Sequence, residues 1–270
     1  MTLGITADLE AAAHRVSMWC GEPLLHEGED AAVALAAGTA RRAALDAALA
    51  EMDRGLTEPS YQWRRDYSLM LGLDRVLSDQ QPKLVSGTTL RRHQVDALAG
   101  QLAALIADIE RGESDEEDED EDDAEADAES NGNGNGSVAD AEGFDVAVAH
   151  VPALHEVEQV SVGADPGARR RYRFKHPTAS GKTIAAAGFV DAARSTGVLI
   201  LTHRRLLVDQ FTRDLTKEGY GTRLRPPVLI GDTTPPTPPL TINTYSWFIK
   251  HADQLKPDVY GVVVCDEAHT

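Results

Sequence analysis

The stretch HPTASGKT, residues 176–183, decides the reading of this chain. It lies between an alternating segment, Arg171 to His176, and an Ala-rich run that starts at Ile184. A strand, a short turn and a helix in that order aim backbone N–H groups and a helix N-terminus at one point, which is a cradle for phosphate oxygens. Gly181 lets the backbone come close, Lys182 would reach the β- and γ-phosphates, and the Thr183 hydroxyl would ligate Mg²⁺. The full P-loop pattern asks for Gly five residues before Gly181, where this chain has His176. The turn therefore needs a second element before it counts as a site.

VVVCDEAH, residues 262–269, supplies that element: an apolar run that ends abruptly in two carboxylates. Residues just past the carboxyl ends of parallel strands line the ligand crevice of an open α/β sheet. Asp266 would hold Mg²⁺, directly or through water, and Glu267 would orient or deprotonate an attacking water. Around these motifs, short apolar runs alternate with helical patterns. Strands are expected at 171–176, 197–202, 227–230, 239–244 and 259–265, and helices over 183–194 and 204–217. The runs GVLIL and VYGVVVC lack alternation, as strands buried on both faces do. An α/β domain with a parallel sheet follows, beginning near Arg169. Leu207, Phe211 and Leu215 mark the core side of one helix, and Pro235, Pro236, Pro238 and Pro239 make a stiff spacer.

Upstream, residues 5–80 are rich in Ala, Leu, Glu and Arg, with breaks at Gly21 to Pro23, Gly55 and Pro59, which predicts a small helical domain. Leu35, Leu45, Leu49 and Met52 fall on the apolar side of residues 31–53. Tyr61, Trp63 and Tyr67 suit core packing better than base stacking. A further helix is expected over 89–109, where Val95, Leu98, Leu102, Leu105 and Ile109 are spaced by three and four.

Charge is concentrated in one place. Of the formal −18, thirteen acids with no base fall within residues 113–129, leaving the remainder at −5, and an NGNGNG tract follows at 131–136. Such a run repels itself and predicts a disordered acidic insertion, either a solvated spacer or an internal mimic of nucleic acid lying over basic residues. The 42% apolar content supports a core and excludes a chain disordered throughout. There is no run of 18 apolar residues and no leader pattern, so no membrane and a cytoplasmic location are expected. Cys20 and Cys265, far apart, indicate neither a disulfide framework nor a zinc site.

Five stretches, taken in order, carry a family resemblance: LRRHQ at 90–94, PTASGKT at 177–183, LILTHRRLLVDQF at 199–211, TINTYSWF at 241–248 and DEAH at 266–269. Over residues 89–270 the sequence resembles the DEAD/DEAH-box helicases of superfamily 2, in the branch that includes type III restriction-enzyme translocase subunits. The resemblance implies a RecA-like P-loop domain that binds ATP and Mg²⁺. Gln94 would hydrogen-bond adenine, and Thr178, Ala179, Ser180, Gly181, Lys182 and Thr183 would form the phosphate loop. Thr183 and Asp266 would hold the metal. Lys182, Asp266, Glu267 and His269 would be the catalytic group, with His269 coupling nucleotide state to a second motor domain. Thr202, His203, Arg204, Arg205 and Thr244 would contact nucleic acid, DNA being the expected partner.

The implied layout is a helical domain at 1–88, an adenine-contacting helical region at 89–110, the acidic insertion at 111–145, a linker at 146–168 and a RecA-like domain at 169–270. Ala179 stands where the family usually has Gly, which weakens the cradle if positive φ is required there. Residue 270 follows DEAH directly, so the reading is of a truncated helicase module. Its full form would couple ATP hydrolysis to DNA translocation or unwinding through a second RecA-like domain in cis, while this chain binds Mg-ATP with little turnover. The alternative is a non-catalytic interaction protein that keeps a degenerate helicase half and engages a partner through its acidic tract. An ATPase unrelated to nucleic acid is disfavoured by the Gln94 region and by residues 199–211.

Overall fold

A computed structural model describes residues 2–122, 171–174 and 181–267, with side chains throughout except at 2–6 and 113–122. The chain divides into two compact units, Met1–Glu110 with His176–Thr270, and Arg111–Lys175. The first unit opens with α1 (Thr2–Cys20), α2 (Ala31–Ala34), α3 (Ala40–Asp53) and α4 (Tyr61–Trp63), and a π-helical turn, Arg64–Ser68, leads into α5 (Leu69–Leu77). The helical pattern over 31–53 is split because Gly38 takes a positive φ of 80° and Thr39 then caps α3, accepting from Arg42 N at 3.3 Å. Trp63 is buried, stacks edge-on to Trp19 and donates its indole N–H to the Ala44 carbonyl at 3.1 Å, so it is core, with Tyr67 packed against that core and Tyr61 outside it.

Next comes α6 (Arg92–Asp122), whose helical backbone runs into the start of the acidic tract. The rest of the expected insertion and linker, residues 123–168, lies outside the described residues, as do 169 and 170. Then follow α7 (Lys182–Ala192), β1 (Gly197–Thr202), α8 (Arg205–Leu215), β2 (Leu240–Thr244), α9 (Tyr245–His251) and β3 (Tyr260–Cys265). The strands form a parallel sheet in the order β2-β1-β3, so this part of the unit is α/β with a parallel sheet, as expected. Central β1 is buried at every position because neighbours cover it on both sides, which is why its sequence is apolar without alternation.

Two expected strands do not form. Residues 171–174 have no regular structure, and 175–176 lie outside the described residues. Residues 227–230 make only an isolated antiparallel bridge, Leu229 with Leu255, because Pro226 and Pro227 remove two ladder donors. Ile230 N donates to the Gln254 carbonyl instead.

Helix α5 belongs to both apolar cores of the first unit. Met70 and Leu71 pack among Val16, Leu24, Leu45 and Trp63. Leu73 and Val76 join Leu98, Val190, Ile200 and Phe211. The helices α5 and α7 meet at Gly72, where a Cβ would overlap the carbonyl of Ala192. Close by, the buried Glu22 receives 2.8 Å bonds from both Arg75 Nε and Arg194 Nε, and Arg75 also donates to the Asp191 carbonyl at 2.8 Å. Burial raises the pKa of Glu22 and the two guanidinium groups pull it back.

Arg223 closes the far end of α7. It is 8% exposed and donates to four carbonyls: Val190 at 2.8 Å, Ala193 at 3.0 Å, Thr196 at 2.9 Å and Pro238 at 3.1 Å. A cation suits this place because helix carbonyls point there. Arg223→Met removes those donors and leaves buried acceptors unpaired, an expected cost of about 3 kcal/mol. Thermal unfolding followed by circular dichroism is expected to shift down by roughly 6–12 °C; an unchanged midpoint would show the carbonyls to be solvated.

Candidate functional site

Parallel register sets the site. Thr202 pairs with Thr244, and Leu201 with Cys265, so β1, β2 and β3 end at one edge of the sheet. The ladder continues one step further, with Asp266 N donating to the Leu201 carbonyl at 2.9 Å. His203 and Arg204, Thr244 and Tyr245, and Asp266 and Glu267 therefore emerge side by side.

The start of α7 faces the same edge. Gly181 takes φ 83°, ψ 44°, and no side chain caps the helix. The first N–H groups of an α-helix have no partner within the helix, so an uncapped start is suited to an anion. Lys182, the first residue of α7, is exposed, and Thr183 is half-buried. Burial and then the Glu267 charge raise the pKa of Asp266 above the usual carboxylate range, while Lys182 and His203 pull it down. Lys182 and His203 are thus the positive charges that act on Asp266.

Gln94 buttresses the turn. It is 2% exposed; its Oε1 accepts from Arg91 N at 2.9 Å and its Nε2 donates to the Gly181 carbonyl at 3.1 Å. A side chain on Gly181 would place Cβ 2.8 Å from that Nε2, so both the positive φ and the space demand glycine. The residue expected at adenine is bonded to the backbone of the phosphate turn.

The expected nucleic-acid contacts separate into two kinds. Arg204 and Arg205 are exposed at the start of α8, where Arg204 occupies the cap position without a side-chain cap bond. Thr202 is fully buried, and its hydroxyl donates to the Arg204 carbonyl at 3.1 Å, which shapes the turn into α8. Thr244 caps α9 by accepting from Trp247 N at 3.2 Å. His203 sets Nδ1 3.4 Å from Glu267 Oε2. Thr178, Ala179, Ser180 and His269 lie outside the described residues.

Tyr245 is the addition that sequence reasoning missed. Its hydroxyl donates to the Asp266 carbonyl at 2.9 Å, and burial, with Cys265, Asp266 and Glu267 nearby, pushes its pKa up so that the phenol stays protonated. The only signal in the sequence is its place directly after Thr244. Among the described residues no three His, Cys, Asp or Glu side chains gather as a metal cage. Mg²⁺ does not ask for one, since it is commonly held by one or two protein oxygens together with substrate phosphates. Nor, among the described residues, is any helix long and apolar enough to cross a membrane.

Comparison with curated proteins and with solved structures returned no match in either set. The family comparison did: residues 89–270 match the model for the type III restriction enzyme, res subunit. The match covers well over half of the chain and includes the Gln94 helix, the Gly181–Lys182 turn, the three strands and the acid pair. By this match the chain belongs to the type III restriction enzyme res-subunit family, with a helicase-like domain of superfamily 2.

Proposed function

We propose that this chain binds Mg-ATP at the Gly181–Lys182 turn and nucleic-acid phosphates along the neighbouring strand ends, as the ATP-binding domain of a helicase-type motor. With a second RecA-like domain in cis, ATP hydrolysis would drive DNA translocation or unwinding. The observation that carries this reading is the left-handed Gly181 ahead of the uncapped start of α7, in a unit whose parallel strands end with the Asp266–Glu267 pair at their carboxyl edge. The uncapped start of α7 and the left-handed Gly181 fit a triphosphate.

Each residue has a defined task. Lys182 and the α7 N–H groups bind phosphate oxygens. Thr183 and Asp266 are the protein ligands for Mg²⁺, which when bound would neutralise triphosphate charge. Glu267 orients the attacking water, and Gln94 keeps the turn in shape. Arg204 and Arg205, at the uncapped start of α8, take backbone phosphates of nucleic acid, a contact blind to sequence.

Fluorescence anisotropy with labelled single-stranded and duplex DNA tests the nucleic-acid half. The double variant Arg204→Glu, Arg205→Glu is expected to weaken DNA binding by about tenfold or more and to flatten its log–log salt dependence by about 2. Mg-ATP affinity should stay as in the unaltered chain. DNA binding that survives the double variant would detach nucleic acid from this edge.

A further inference from the structure

Two of the segments aligned with nucleic-acid contacts also touch the acid pair. His203 leaves β1 and brings Nδ1 to 3.4 Å from Glu267 Oε2. That nitrogen is buried and makes no hydrogen bond, so Glu267 is the group it faces. Tyr245, immediately after β2, donates its hydroxyl to the Asp266 carbonyl at 2.9 Å. Between them the backbone turns sharply, with Glu267 at φ +54°, a left-handed conformation that a non-glycine residue keeps only when its surroundings hold it.

We infer that His203 and Tyr245 are positioning residues that hold the Asp266–Glu267 turn from the ends of β1 and β2, fixing the two carboxylates for a magnesium–nucleotide complex. Neither need touch the nucleotide. The phenol fixes the main chain at Asp266 and so the direction in which its carboxylate leaves β3, while the imidazole limits the swing of the Glu267 carboxylate. Groups behind metal ligands commonly matter to metal affinity nearly as much as the ligands themselves. The strand register makes this arrangement possible, because Thr202 opposite Thr244 and Leu201 opposite Cys265 put one residue after each outer ladder within reach of the turn.

The inference rests on the nucleotide reading above, and one experiment separates the two. Binding of a fluorescent ATP analogue to the full chain is titrated with excess Mg²⁺ and again in EDTA. Mg²⁺ is expected to tighten binding to the unaltered chain about tenfold or more. Tyr245→Phe and His203→Asn should each remove most of that gain, a loss of roughly 10-fold. The EDTA constant should stay unchanged, because Lys182 and the α7 start are intact. If both constants rise in parallel the residues merely support the fold and the proposal is overturned; an unchanged magnesium gain overturns it too. Tyr245→Phe removes a single oxygen, so it decides the matter even if His203→Asn does not fold. If the unaltered chain binds no analogue, or Lys182→Ala leaves the EDTA constant unchanged, the nucleotide reading itself fails and takes this proposal with it. Loss of EDTA binding in Lys182→Ala alongside an unmoved magnesium gain in Tyr245→Phe refutes the positioning role alone.

Discussion

Gly72→Ala is expected to destabilise the native state severely. At an exposed site within a helix the same change would help, since alanine is better than glycine by about 1 kcal/mol. Here the added methyl group would overlap the carbonyl of Ala192, at the end of α7. The obstacle is main chain, so no side-chain rotation relieves it. The helices must part, and that opens the core in which Leu73, Val76, Ala187 and Val190 meet. Overpacking of a rigid core costs roughly 1–3 kcal/mol and occasionally more, and here the lost packing of α5 adds to it. Against a total stability of about 5–15 kcal/mol, such a loss leaves little reserve. Urea unfolding followed by circular dichroism should give a midpoint far below that of the unaltered chain. A midpoint at or above it would mean that α5 and α7 are not in backbone contact.

Lys182→Ala should reduce ATP affinity by about 100-fold, equivalent to roughly 2.7 kcal/mol. The side chain is exposed at the first position of α7, so its removal takes nothing from either core. Its ammonium is one of the charges that act on Asp266, and as the first side chain of α7 it is placed to reach phosphate oxygens at the helix start. Lys182→Arg is expected to be a poor rescue, because a planar fork does not occupy the place of a compact point charge. Isothermal titration calorimetry measures both variants, and a melting curve matching that of the unaltered chain controls for folding. Unaltered affinity in Lys182→Ala would remove the nucleotide from this edge.

The parts of the fold that were legible share a physical feature: their signal is local. β1 coincides with an apolar run, because a strand covered on both faces has no polar alternation to keep; β3, expected to be covered in the same way, is only partly so, with Val263 52% exposed. The buried face of α8, with Phe211 and Leu215, follows the helical period. Residues 227–230 look equally apolar, yet Pro226 just before them and Pro227 within them withhold ladder donors, and the segment finds a loop instead of the sheet. Leu35 and Leu45 both reach the core as their spacing suggests, although Gly38 and Thr39 break the helix between them.

Residue types and order alone established a parallel α/β sheet, a helix that starts just after Gly181, and an acid pair at a strand end. Each is written within a few consecutive residues, where the chain's own geometry is enough. Tertiary structure alone decided that the Gln94 amide bonds the Gly181 carbonyl, that α5 lies against α7 at Gly72, and that His203 and Tyr245 close on the acid pair. Those contacts join segments tens of residues apart. They depend on a strand register and a helix crossing that exist only once the apolar faces have been buried together.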